Sequence, residues 1–363
     1  MTGEGEQTMT LPDTAEPGRD EIGDGRADRR ALRDRLRVVL RPDVWRRGPV
    51  VAALAVLLGL LLALHGLIPN RVGNIGSLVE TFLPWFGMFV PVLLAGAVWR
   101  RSASAAVAVL FPVVAWLGHF GGLLPDKSHP GGDLTVASHN VGAANPDPVG
   151  TARALAGSGA DLLALQELSA QHKDTYVRGL AAAYPYHTVL GTVGLWSRFP
   201  LSEVRPIDVL LDYGPLAATK TAEEKLAYNR ALRATVATEH GPLAVYVAHL
   251  SSVRVTPRSG FWTPHRDRGA EALAKTLAAE RNKRMVLLGD LNGTLDDREL
   301  DGITSRLRSA HDTAGNGFHF TWPAKFPFVR IDHVLIRGVE PKKAWVLPAT
   351  TSEHRPVAAE IAW

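Results

Sequence analysis

Residues 49–124 carry only four charged side chains, Arg71, Glu80, Arg100 and Arg101. That near-absence of charge limits how the chain can be arranged. Three apolar runs fill the block, at 49–68, 76–99 and 103–124. Each reaches the roughly 20 residues a helix needs to cross about 30 Å of hydrocarbon. Soluble cores do not usually supply three such runs in succession, so a three-helix transmembrane anchor is expected. A cleaved signal peptide does not fit. The stretch before the first run is too long, no small-residue cleavage site follows it, and two more runs come next. Pro84, Pro91 and Pro112 would kink these helices, which neighbouring helices can compensate. Glu80, His65 and His119 lie in or near the runs and are expected to reach toward headgroups rather than form a relay.

Arginine bias sets the orientation. Arg29, Arg30, Arg33, Arg35, Arg37, Arg41, Arg46 and Arg47 precede the first run. Arg100 and Arg101 lie between the second and third, and Arg71 alone lies between the first and second. The N-terminus is therefore expected in the cytoplasm, with everything after the third run outside a multi-pass cytoplasmic membrane protein. Residues 1–28, rich in Gly, Pro, Asp and Glu, read as disordered. The expected organisation is a basic cytoplasmic tail (1–48), an anchor (49–124), a Gly/Pro-containing linker (125–132) and a soluble domain (133–363). The chain has no Cys, so neither a disulfide nor a thiolate zinc site can form. Of 40 Lys/Arg and 36 Asp/Glu, the residues from 126 onward hold 27 and 25. A domain so close to neutral lacks the basic stripe of a nucleic-acid enzyme.

The soluble domain alternates strand and helix signals. Strands are expected at 134–141, 161–167, within 186–210 and 231–251, at 285–288, 328–336 and 356–361. Helices are expected at 148–158, at 169–183 with Ser169 as N-cap, and at 266–281. This mix suggests a two-sheet sandwich with helices outside. Loops 212–229 and 252–265 are long enough to be candidates for substrate contact.

Polar clusters close these strands: Ser138-His139-Asn140, Gln166-Glu167, His249-Leu250-Ser251, Gly289-Asp290-Leu291-Asn292, Ile331-Asp332-His333 and Ser352-Glu353-His354-Arg355-Pro356. Carboxylates, amides and imidazoles converging from several strands suit both a divalent cation and a phosphate ester. Glu167 offers a hard oxygen at a sheet edge, and Mg²⁺ needs only one or two carboxylates because it keeps several waters. Asp290 can position or deprotonate a water, and Asn292 can hold a phosphate oxygen without adding charge. Asp332 can fix the His354 tautomer and keep the ring protonated against charge developing on phosphorus. His249 is a second imidazole candidate, and Asn140 can orient the acidic groups. His139 reads as structural, and Arg233 as either a phosphate contact or a surface charge.

In this order the clusters resemble the endonuclease/exonuclease/phosphatase superfamily, the metal-dependent phosphoesterases related to DNase I. The resemblance spans about 134–363. It implies a four-layer α/β sandwich preceded by the three transmembrane helices. It also implies a site in which Glu167 and Asn140 lie at Mg²⁺ (with Mn²⁺ the second candidate). Asp290, Asn292, His249 and the Asp332–His354 pair would be catalytic, with Thr321-Trp322 nearby. The family pattern Ser-Asp-His is Ser352-Glu353-His354 here, so Glu353 is expected at the metal with its carboxylate displaced by about one methylene. Three spans ahead of such a domain are similar to the membrane-anchored, VanJ-type members associated with glycopeptide resistance. The expected function is a Mg²⁺-dependent phosphoesterase acting on a phosphorylated membrane lipid such as a polyprenyl pyrophosphate. An extracellular nuclease, a phospholipid phosphodiesterase and a catalytically impaired ligand-binding domain are the alternatives.

Overall fold

The computed structural model describes residues 42–210 and 219–363. The expected disorder of residues 1–28, the arginines up to Arg41 and part of the 212–229 loop lie outside the described residues. Helix α1 (Pro49–Leu64) starts on Pro49, whose missing N–H costs nothing at a first helical position. The next expected span is not one straight helix. Helix α2 (Ile75–Thr81) ends at Phe82, a 3₁₀ segment (Leu83–Met88) follows, and α3 (Phe89–Trp99) completes it. The two parts meet at 65°. Pro84 sits in the first turn of the 3₁₀ segment and has no N–H for a continuing α-ladder. Helix α4 (Ala103–Phe120) is capped by Ser102, whose hydroxyl accepts from Ala105 N at 3.2 Å.

Among the described residues two helices, Pro49–Leu67 and Ala103–Leu123, are therefore long and apolar enough to cross a membrane, and the bent pair makes a third only if counted as one span. The Ser102 hydroxyl also donates to the Arg47 carbonyl. Arg46, Arg47, Arg100 and Arg101 thus gather at one end of the anchor, while the other end meets the soluble domain.

Alternation along the strands sorts the soluble domain into layers. One six-stranded sheet contains β1 (Leu134–Asn140), β2 (Leu162–Gln166), β3 (Tyr186–Leu190), β4 (Val193–Ser197), β13 (Glu340–Val346) and β14 (Val357–Ala362), in the order β13-β14-β1-β2-β4-β3. The second contains β5 (Leu201–Pro206), β6 (Ala231–Thr238), β7 (Gly241–His249), β10 (Met285–Asp290), β11 (Arg308–Ser309) and β12 (Asp332–Arg337), in the order β11-β12-β10-β7-β6-β5. The inner faces meet through Val136, Leu162, Val245, Val247, Val286, Leu288, Val334 and Ile336, all buried. The outer face of the first sheet is covered by α5 (Pro148–Ala156) and α6 (Lys173–Leu180) through Leu155, Tyr176 and Leu180. The outer face of the second is covered by α7 (Pro264–Ala278) through Ala270, Leu273 and Leu277. This is the four-layer α/β arrangement of the DNase I-like fold. Truncating one of the buried leucines costs about 2–5 kcal/mol, the lost transfer energy plus the cavity left behind.

Several local expectations need correction. Helix α6 begins at Lys173 after His172, and the Ser169 hydroxyl is buried without a partner, so Ser169 is not the N-cap. Strand β12 begins at Asp332 rather than near 328. The expected 252–265 loop carries a hairpin, β8 (Arg254–Thr256) with β9 (Gly260–Trp262). Glu80 does not reach for headgroups. It is buried and ion-paired with Arg298 of the soluble domain, Nη2 to Oε1 2.6 Å and Nε to Oε1 2.9 Å.

That pair belongs to a wider docking surface. Arg298 also donates to the carbonyls of His65, Gly66 and Ile68 at 3.0, 2.9 and 2.8 Å. Ser77 donates to Asp297 at 3.0 Å and Asn70 to Glu299 at 2.9 Å. Phe261 N donates to Gly73 O at 2.9 Å, and a side chain on Gly260 would stand 2.7 Å from the Gly73 Cα. Only glycine allows the hairpin to approach the anchor that closely. Trp85 donates to Phe328 O at 2.8 Å, and its ring stacks on Phe320 with centroids 5.5 Å apart.

Candidate active site

The site is the polar end of the core between the two sheets. On β10 the inward positions run Val286, Leu288, Asp290; on β7 they run Val245, Val247, His249; on β12 they run Ile336, Val334, Asp332. Register places Asp290 opposite His249 on one side and opposite Asp332 on the other. The alternation that fills the core with aliphatic side chains therefore ends, level across three strands, on two carboxylates and an imidazole. Asn140 ends the same kind of row on β1, and Glu167 follows β2 in the left-handed region, φ +59°. Gly289 lets β10 and β7 come together beside the site. A Cβ there would sit 1.9 Å from the Ala248 carbonyl oxygen.

Asn140 joins the two sheets at the site. Its Nδ2 donates to Glu167 Oε1 at 3.0 Å and to Asp290 Oδ2 at 2.9 Å. Its Oδ1 accepts from Gly142 N at 3.0 Å, so the amide turns its NH₂ rather than its oxygen toward the carboxylates. Glu167 Oε2 accepts from Ala143 N at 3.0 Å, and its side chain keeps 30% exposure. Asp290 is buried and accepts from Asn292 N at 2.8 Å and Asn292 Nδ2 at 3.2 Å. Asn292, itself at φ +48°, also donates to Leu250 O at 2.9 Å. Burial pushes the Asp290 carboxyl up to about 7, against the neighbouring charge of His354.

His354 Nδ1 lies 2.9 Å from Asp332 Oδ2 and 3.2 Å from Oδ1, and its Nε2 lies 3.8 Å from Asp290 Oδ2. Burial opposes charge on His354, but Asp332 and Asp290 together overcome it and push the imidazole up to about 10. Burial likewise opposes ionisation of Asp332, and the His354 charge holds it below its ordinary value. The Thr321 hydroxyl accepts from Ile331 N at 3.2 Å, fixing the start of β12. Ser352 donates to Asn140 O at 2.6 Å and accepts from His354 N at 3.1 Å, tying the His354 turn to β1.

His249 is buried with Nε2 3.5 Å from Glu167 Oε1 and 3.7 Å from Asp290 Oδ2. The guanidinium of Arg230 lies 2.9 Å from its ring. Burial, followed by the charges of Arg230 and His354, lowers its pKa well below the usual histidine range, so the ring is neutral. Arg230 is not among the residues singled out from the sequence. It continues the inward row Leu232, Ala234, Val236 one step before β6 begins, and that alternation is the signal that could have found it.

Glu167, Asn140, Asp290, Asn292, Asp332, His354 and His249 are thus brought together. Glu353 lies on the rim of the same cavity, exposed between the buried Ser352 and His354. Arg233 is apart, ion-paired with Glu280 at 3.0 Å and Glu203 at 2.6 Å. His139 faces away, Nε2 2.9 Å from Thr350 Oγ1.

These groups open into a cavity of about 510 Å³ lined by Glu167, Asp290, Asn292, His354, Glu353 and Trp322 on its polar side. Asp290, Asp332 and His354 offer ligand atoms within 4.8 Å of one another. Asp332 is committed to His354, however, which leaves the Asp290 and Glu167 oxygens as the free pair. Both already lean on one amide NH₂ for positive charge. Hard oxygens, a partly open cavity and no thiolate suit a Mg²⁺-type cation that keeps part of its water shell.

The sequence pattern of the endonuclease/exonuclease/phosphatase family matches residues 137–354. No curated protein matches the chain. Among solved structures the chain is similar to the mannosyl-6-phosphatase of Bacteroides thetaiotaomicron (17% identity, 64% of this chain and 100% of that one, TM-score 0.48). It is also similar to sphingomyelinase C of Streptomyces griseocarneus (19%, 62% and 98%, TM-score 0.46). A third likeness is the beta toxin of Staphylococcus aureus with bound magnesium ions (15%, 63% and 99%, TM-score 0.44).

Proposed function

The chain belongs to the endonuclease/exonuclease/phosphatase family, and from that premise we propose that it is a divalent-cation-dependent phosphoester hydrolase anchored in the cytoplasmic membrane. Its catalytic domain would face outward, and its substrate would be a phosphate or pyrophosphate of a membrane lipid of the polyprenyl type. The observation that carries the reading is the Asp290–Asn140–Glu167 bridge beside the Asp332–His354 pair, with both groups opening into one cavity.

Asp290, once ionised, takes a proton from the attacking water. Asn292 faces the cavity and holds a nonbridging phosphate oxygen after releasing Leu250 O. His354, kept protonated by Asp332, donates through Nε2 to a phosphoryl oxygen as negative charge develops there, while the bond from phosphorus to the leaving oxygen breaks and that oxygen takes a proton from water. Glu167 and Asp290 would hold Mg²⁺, or Mn²⁺ in its place, which when bound neutralises phosphate oxygens and templates in-line attack. His249 is buried behind the carboxylates and orients them, with Arg230 behind it in turn.

The outward orientation is supported by the four arginines gathered at the far end of the anchor, which favour the cytoplasmic side. The near-neutral catalytic domain disfavours nucleic acid. A lipid carrier of cell-wall precursors is the substrate class that would connect such an enzyme to glycopeptide resistance. The test is phosphate release from a polyprenyl pyrophosphate by the detergent-purified protein with Mg²⁺. Glu167→Gln and His354→Ala should each lower the rate by about 10²-fold or more. Unchanged rates in both variants would remove the assignment, and plasmid nicking without lipid turnover would replace it with a nuclease.

A further inference from the structure

The cavity that holds Asp290 and His354 has a second wall, and the anchor builds it. Leu78, Thr81 and Phe82, from the end of α2 and the bend after it, line the same cavity. Val253, Val255 and Phe261 of the hairpin region and Phe328 complete an apolar lining opposite the carboxylates. Phe82 and Phe328 stack with ring centroids 6.0 Å apart. The wall is rigidly placed, because Ser77, Glu80 and Trp85 on either side of it are bonded to Asp297, Arg298 and Phe328 of the catalytic domain.

The apolar anchor therefore forms part of the cavity's wall. Val255 and Phe326, on segments that border it, are 80% and 75% exposed, the highest values among the described large apolar residues of the catalytic domain. Exposed apolar groups beside α2 and the apolar block it belongs to mark a surface suited to hydrocarbon. A cavity of about 510 Å³ is also far larger than a phosphate group needs. One amphiphile satisfies both walls, with its phosphate at the carboxylates and its hydrocarbon along the anchor.

We infer that Leu78, Phe82, Val255, Phe261 and Phe328 form a subsite for the hydrocarbon chain of a membrane-embedded phosphate ester, so that the anchor itself selects the substrate. This rests on the phosphoesterase reading above and deepens it, by making chain length and the bend at Phe82 determinants of specificity.

Two measurements on the full-length protein test it. In the first, kcat/KM is compared for a long-chain polyprenyl pyrophosphate and for geranyl pyrophosphate. Phe82→Ala and Leu78→Ser should each reduce the long-to-short ratio by about tenfold. A ratio within about twofold of the unsubstituted protein overturns the subsite. In the second, a polyprenyl phosphonate carrying a diazirine in its tail is photolysed on the His354→Ala protein, which needs no turnover. Labelling within residues 75–89 or 253–261 supports the subsite, and labelling elsewhere or none overturns it. Labelling at those segments without any phosphate release by the unsubstituted protein would leave the tail subsite standing and remove the hydrolase reading alone.

Discussion

His354 Nδ1 and Asp332 Oδ2 stand 2.9 Å apart at the buried end of the inter-sheet core, and each holds the other in its charged form. Asp332→Asn removes the carboxylate that raises the imidazole. The His354 pKa should fall from about 10 toward the usual histidine range. Turnover at neutral pH should drop by about 10²–10⁴-fold. NMR titration of the His354 ring in the variant checks the first effect and steady-state kinetics the second. A ring that still titrates near 10 would show that Asp290 and Glu167 maintain its charge without Asp332.

The pH profile of turnover should be bell-shaped. Asp290 must be ionised to take a proton, and burial has raised it to about 7, so the acid limb falls as pH drops below that value. His354 must be protonated, so the alkaline limb falls as pH rises through about 10. Bound cation favours the ionised carboxylate and should move the acid limb lower as Mg²⁺ is raised. For stability the His354 sign is fixed. Its folded pKa is raised, so its contribution is complete below about 6.5 and is lost as pH rises through about 10. Chemical denaturation at about pH 6, 8 and 10.5 reads this directly.

Mg²⁺ should raise the thermal midpoint of the detergent-solubilised protein. A ligand that binds only the folded state contributes about 2.7 kcal/mol at a hundredfold excess over its Kd. Glu167→Gln should abolish that shift, whereas Glu353→Gln should leave it, because Glu353 is exposed on the rim. Calorimetry with and without EDTA makes the comparison. A shift lost in Glu353→Gln would move the cation to the outer edge of the cavity.

Arg298→Ala strands the buried Glu80 carboxylate and should destabilise the protein by about 3–5 kcal/mol. The double change Glu80→Leu with Arg298→Met should recover most of that loss, since no buried charge is left uncompensated. Unfolding midpoints of the three proteins decide it. Equal losses in the single and double variants would mean that the carbonyl contacts of Arg298, not its charge, hold the anchor to the domain.

Much of this site is legible in the sequence because strand alternation is a local signal. The polar residue ending each inward row can be read before the rows are paired, which is why Asp290, Asp332, His249 and Asn140 stand out. Glu353 belongs to no strand row: it lies in the turn before β14, exposed on the rim of the cavity between the buried Ser352 and His354. Strand β13 escapes notice because Glu340, Pro341, Lys342 and Lys343 mask its pattern and it carries a register shift. The Glu80–Arg298 pair joins residues 218 positions apart, and nothing near either position announces the other. Pro84 announces a kink, but not that the kink delivers Phe82 to the cavity that holds Asp290 and His354.

The 65° turn after Thr81 ties the mouth of the cavity to the direction of the apolar helices, and under the membrane anchoring proposed above it would fix that mouth relative to the bilayer plane. A chain anchored by a straight helix and a loose tether could sample the membrane surface at any tilt. Under the proposed anchoring, a corner would set the reach of the reaction, and a substrate would arrive by sideways diffusion within the leaflet rather than from the bulk phase.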